Sequence, residues 1–83
     1  MYYKIIEIKG VTSIYHLPRV KELREKAERG QKEIAEMLQI SQQQYSLYET
    51  GTRELKLCHL VELAKYYGVT TDYILGLSDK RKP

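Results

Sequence analysis

The chain contains no tryptophan, no phenylalanine, one cysteine and two prolines. Aromatic packing therefore falls to its eight tyrosines. The lone cysteine, Cys58, excludes an intrachain disulfide and suits a reducing compartment. No apolar run is long enough to span a bilayer, and the opening MYYKIIEIKG lacks the hydrophobic segment of a signal peptide. A cytoplasmic location is the expectation. Neither sign of charge dominates: the net charge is +3 and the pI about 9.0. That basic bias suits a nucleic-acid partner and an ordinary soluble domain alike. With 83 residues there is room for one small domain, which buries only about 60–65% of its unfolded surface.

Apolar spacing of three and four residues predicts helices along most of the chain. Pro18 suits a first helical turn, and Val20, Leu23 and Ala27 share a face, with Gly30 as the expected breaker. A second helix starts near Gln31 and buries Ile34, Ala35 and Leu38. Ser41 is a good N-cap for a third and Gly51 a good residue to end it. Leu57, Leu60, Val61 and Ala64 form the expected face of a fourth, closed by Gly68. Thr70 or Thr71 caps a short fifth helix with Ile74, Leu75 and Leu77, followed by Gly76. Before Pro18, residues Tyr2 to Ile8 read as a short strand. Such a strand needs a partner, either Val11 to Tyr15 or another copy of the chain. The expected organisation is an N-terminal extension at 1–17 (a strand or hairpin), a helical domain at 18–78 and a charged flexible tail at 79–83.

Gln31 to Gly51 is the most informative stretch. It holds two short helices joined by a tight turn, and the second carries no formal charge until Glu49. Its start is three glutamines, Gln42, Gln43 and Gln44. A glutamine amide offers an acceptor and two donor hydrogens, so it can bond an adenine edge in a bidentate way. Amides at the start of a braced helix suit the reading of base edges in a DNA major groove.

Residues 19–79 resemble the Cro and phage-repressor type of helix-turn-helix protein, also called the Xre type. The matching residues are RVKELRE (19–25), QKEIAEML (31–38), ISQ (40–42), YE (48–49), Gly51, LAKYYGV (63–69) and DYILGLSD (72–79), in order and without gaps. The resemblance implies an all-α fold: a compact five-helix lambda-repressor-like DNA-binding domain, here with a short strand-like N-terminal extension. It implies that the second and third helices form the helix-turn-helix and that the third enters the major groove. Gln31 matches a position that contacts phosphate and braces the recognition helix. Gln42, Gln43 and Gln44 match positions facing bases or adjacent phosphates, and Arg24 and Glu49 match a partly buried ion pair. The chain departs from the pattern at Arg29 and Gly30, where an apolar residue and a capping Thr or Ser are common, and at Leu55 and Lys56, where a proline and a small cap are frequent.

The residues expected to face DNA are Gln31, Gln42, Gln43, Gln44, Ser46, Leu47, Thr52, Arg53 and Lys56. Leu47 either touches a thymine methyl group or packs. Tyr45 and Tyr48 either stack on bases or fill the core. Arg53 and Lys56 either clamp the DNA backbone or sit in a solvated loop. Cys58 and His59 are adjacent metal-type ligands with no second cluster near them in sequence, so no metal or cofactor is expected. No nucleophile–base pair stands out, so catalysis is not expected. Two functions remain open: a transcriptional regulator of the repressor kind that binds double-stranded DNA as a homodimer, and an antitoxin-like module whose main partner is a protein. The dimer contact falls to the fifth helix or to the N-terminal strand.

Overall fold

The computed structural model describes residues 17–82, and the backbone at 7–8 and 11–12. Five helices follow one another: α1 (Pro18–Lys26), α2 (Gln31–Leu38), α3 (Gln42–Thr50), α4 (Leu57–Tyr67) and α5 (Thr71–Leu75). Ahead of them, β1 (Glu7–Ile8) pairs antiparallel with β2 (Val11–Thr12), with Glu7 opposite Thr12 and Ile8 opposite Val11. The described part of the expected strand thus finds its partner within the same chain. The remainder of the Tyr2–Ile8 and Val11–Tyr15 expectations lies outside the described residues.

All five helices end in the same way. A left-handed residue follows the last turn: Glu28, Gln39, Gly51, Gly68 or Gly76. The next N–H then reaches back to a carbonyl five residues earlier, as in Thr52 to Leu47 at 3.0 Å and Val69 to Ala64 at 3.0 Å. Gly30 is not the breaker of α1. That helix stops at Lys26, and Glu28, at φ 58°, makes the reversal although it has a Cβ. Gly30 instead stands in extended conformation as the N-cap of α2 and offers no side-chain cap.

The core joins Val20 and Leu23 of α1, Ile34, Ala35 and Leu38 of α2, Tyr45 and Tyr48 of α3, Leu55 of the following loop, Leu60, Leu63 and Ala64 of α4, Val69, and Ile74 of α5. Tyr45 and Tyr48 meet edge to face, with ring centroids 6.5 Å apart. They fill the core rather than offering rings to bases. Three positions of the expected helix faces lie outside it, Ala27, Leu57 and the half-buried Val61. Ala27 is exposed where α1 has ended, and Leu57 is 71% exposed at the first position of α4. Leu63, absent from the expected face, is almost wholly buried.

The segment at 79–82, expected as a flexible charged tail, is joined to the domain by several bonds. The Arg19 guanidinium donates to the carbonyls of Tyr73 and Ser78, each at 2.7 Å, and to the Asp79 carboxylate at 2.8 Å. It also lies 4.0 Å from the centroid of the Tyr73 ring, whose surroundings include Arg81 at 5.5 Å. The Thr70 N–H donates to the Arg81 carbonyl. Arg19→Ala is expected to cost about 1–2 kcal/mol, because two carbonyls lose a charged donor. Asp79→Ala, at an exposed pair, is expected to change little. Thermal melts of the two variants decide this, and equal small effects would assign the clasp no structural weight.

Candidate nucleic-acid interface

The pair α2–α3 is built around one carboxylate. The Glu49 side chain is only 3% exposed. It accepts from Arg24 Nε at 2.6 Å and Nη2 at 3.1 Å, from Gln31 Nε2 at 3.0 Å, and from the Tyr45 hydroxyl. Arg24 Nη1 continues to the Arg29 carbonyl at 2.9 Å. The hub therefore binds α1, the α1–α2 turn, the first residue of α2 and the last turn of α3. Burial by itself pushes the Glu49 carboxyl up, but the bonds from Arg24, Tyr45 and Gln31 outweigh it and hold the group below its ordinary range. Burial, then the bond to Glu49, pushes the Tyr45 phenol up, so its hydroxyl stays a donor.

The turn between α2 and α3 is short. Gln39 takes the left-handed position and Ile40 packs on the core. Ser41 then caps α3 in both directions. Its hydroxyl accepts from the Gln44 N–H at 3.0 Å, while the Gln44 side-chain carbonyl accepts from the Ser41 N–H at 3.3 Å. Of the three glutamines, then, Gln44 has its side-chain carbonyl engaged in the cap, with its amide hydrogens turned to no partner within α3. Gln42 and Gln43 are exposed in the first turn of α3. Helical spacing sets Ser46 and Leu47, both half-buried, on the same face. The opposite face is the buried one, with Tyr45 and Tyr48.

The other expected residues flank this stripe. Gln31 is half-buried, and its amide braces α3 through Glu49. Thr52 and Arg53 are exposed in the loop after α3, both donating their N–H to the Leu47 carbonyl. The Thr52 hydroxyl pairs with that of Thr50 at 2.9 Å. Lys56 is exposed and serves as the N-cap of α4 without a side-chain cap. Leu55 is buried, which anchors the loop between Arg53 and Lys56. No helix among the described residues is long and apolar enough to cross a membrane.

Three features escaped the sequence reading. The reciprocal Ser41–Gln44 cap has a signal, Ser followed three residues later by Gln. The Tyr45–Glu49 bond has the helical i, i+4 spacing. The third, a 2.6 Å bond between the Tyr48 hydroxyl and His59 Nδ1, joins α3 to α4 across a loop and follows no spacing rule.

A sequence profile described as helix-turn-helix matches residues 20–74, from Val20 in the first turn of α1 into α5. Among curated proteins, the HTH-type transcriptional regulator ImmR of Bacillus subtilis (strain 168) is 42% identical over 64 residues, 77% of this chain and 50% of that protein. The uncharacterized HTH-type transcriptional regulator YobD of the same organism is 37% identical over 65 residues, 78% of this chain and 58% of that protein. The chain thus spans only half to three-fifths of the length of these relatives. The matched segment contains α2, the tight turn, α3 and the Arg24–Glu49 brace, and the chain belongs to the helix-turn-helix family.

Proposed function

We propose that the chain is a sequence-specific, double-stranded DNA-binding transcriptional regulator acting as a repressor, with α3 in the major groove. The observation that carries this reading is the uncharged, exposed amide pair Gln42–Gln43 at the start of a helix braced from behind by the Glu49 hub. Base readout needs a helix held in a fixed orientation, and it needs donors and acceptors without a charge that binds every phosphate alike. Ser46 and Leu47 extend the readout stripe. Gln31, Thr52, Arg53 and Lys56 flank it as backbone contacts, and Gln44 sets the start of the helix. The names of the relatives support a regulatory role, and a DNA-binding reading goes with a cytoplasmic location. Function by binding rather than catalysis, without a cofactor, fits the same site.

One such unit reads few base pairs, so the protein acts as a homodimer with recognition helices about 34 Å apart. The dimer contact belongs to the α5 region, where Leu75 is half-buried and Leu77 is 46% exposed. Ile74, expected in that surface, is 1% exposed and belongs to the core. The contact is correspondingly narrow.

Selection from a random duplex pool tests the reading. A twofold-symmetric consensus with half-sites one turn apart is expected, bound by two chains in sedimentation. With Arg53 and Lys56 as the charged backbone contacts, log K is expected to fall with log salt at a slope of about −2 per bound chain. No enrichment of any sequence, with a neighbouring gene product co-purifying instead, would replace this reading by that of a protein-interaction module.

A further inference from the structure

The loop 51–56 carries Arg53 and Lys56, and its geometry depends on a contact outside the helix-turn-helix pair. At its start, Thr52 and Arg53 donate to the Leu47 carbonyl at 3.0 and 3.1 Å. In its middle Leu55 is buried. At its far end the half-buried His59, in the first turn of α4, meets Tyr48 of α3. The Tyr48 hydroxyl lies 2.6 Å from His59 Nδ1, and the two rings cross at 63° with centroids 5.6 Å apart. The loop is therefore closed into a ring by a single polar bond between two side chains.

The direction of that bond follows from its surroundings. Burial pushes the Tyr48 phenol up, so the hydroxyl keeps its proton, and at 2.6 Å from Nδ1 it can turn that proton towards His59. Nδ1 is then the acceptor of a neutral imidazole, with its hydrogen on Nε2. Adding a second proton to the ring sets Nδ1–H against the hydroxyl proton, and the bond is lost or must be rebuilt.

We propose that His59 is a positioning residue for the DNA interface: its neutral ring, held by Tyr48, fixes loop 51–56 and the end of the recognition helix against α4, and its protonation releases them and weakens specific DNA binding. The ring meets Tyr48 from α3 and feels the charges of Lys56 from the loop and Glu62 from α4, while Arg53 and Cys58 act on its partner Tyr48. Burial, then the Lys56 charge, hold the imidazole below its ordinary range, while Glu62 pulls the other way. The sign is consistent. A histidine held low in the folded state contributes stability that is present above its unfolded pKa, about 6.5, and is lost as pH falls through the folded value. The neutral ring is the form present at physiological pH.

The inference rests on the DNA-binding reading above, and two measurements separate their fates. The first needs no DNA. Tyr48→Phe removes only the hydroxyl, so its melting temperature is expected to fall below that of the native chain by more at about pH 7.5 than at about pH 5. A gap of the same size at both values overturns the proposal. The second compares the native chain with His59→Gln, whose amide can accept the Tyr48 proton but does not titrate. On the selected duplex the native chain is expected to lose affinity relative to His59→Gln on acidification, by at most about tenfold per pH unit for one linked proton. A native chain that gains affinity relative to the variant overturns the proposal and makes His59 a cation facing phosphate. A protein that binds no duplex at any pH refutes the DNA reading, and with it the functional half of the inference. The melting gap then judges the staple alone.

Discussion

Glu49→Ala is expected to destabilise the domain by about 3–5 kcal/mol, the usual loss when one member of a buried ion pair is removed. For a domain of this length that is a fall in melting temperature of more than about 12 °C. The size follows from what is left behind. Arg24, whose side chain is 13% exposed, keeps its charge and its bond to the Arg29 carbonyl but loses its bidentate partner. The Tyr45 hydroxyl and the Gln31 amide lose their acceptor together. In a double-mutant cycle, Arg24→Ala added to Glu49→Ala is expected to cost little more than Glu49→Ala alone, because the second change removes the stranded charge. Fully additive losses would show that the two residues act independently.

The same hub sets an acid limit. The folded Glu49 carboxyl lies below its ordinary value of 4.5, so its contribution is complete above that value. It is lost as pH falls through the lower folded value. Glu49→Gln is therefore expected to be less stable than the native chain at neutral pH and to approach it only as pH falls through the lowered folded value. A gap independent of pH would place the stabilisation in packing rather than in the charge.

Much of this arrangement was legible because short-range rules applied. Ser41 and Gly51 bracket α3 by capping chemistry that acts within one turn, and both positions are occupied as expected. The Arg24–Glu49 pair was legible only through the family resemblance, since nothing local joins residues 25 positions apart. The phase of α4 was misread for a physical reason. LCHLVELA has apolar residues around most of its circumference, so the period fits a face on Leu57, Leu60, Val61 and Ala64 as well as one on Leu60, Leu63 and Ala64. Packing against the tyrosines and Ile74 selects the second, leaving Leu57 in solvent. Glu28 carries no sequence signal for a left-handed turn, and Gly30, which does, stands two residues too late. At the site, the sequence placed all three consecutive glutamines towards DNA, with Gln42 and Gln43 as the base-edge contacts, but offered no physical reason to set Gln44 apart. The Ser41 cap separates them, because its reciprocal bond takes the Gln44 carbonyl.

That separation makes the readout testable one glutamine at a time. On the selected duplex, Gln42→Ala and Gln43→Ala are each expected to cost about 1–3 kcal/mol, a loss of roughly 5- to 150-fold in affinity. On random duplex neither is expected to change binding, since phosphate contacts dominate there and these amides carry no charge. Their positions are adjacent and their target bases neighbouring, so the double variant need not show the sum. Gln44→Ala is expected to behave differently. It breaks half of a capping box, lowers stability by up to about 1 kcal/mol, and moves specific and random binding together if it moves them at all. The single variants, titrated against both duplexes beside a melting curve, distinguish a residue that reads from one that holds the reader in place. Equal losses on both duplexes for Gln42→Ala and Gln43→Ala would take the start of α3 out of the readout and leave the specificity to Ser46 and Leu47.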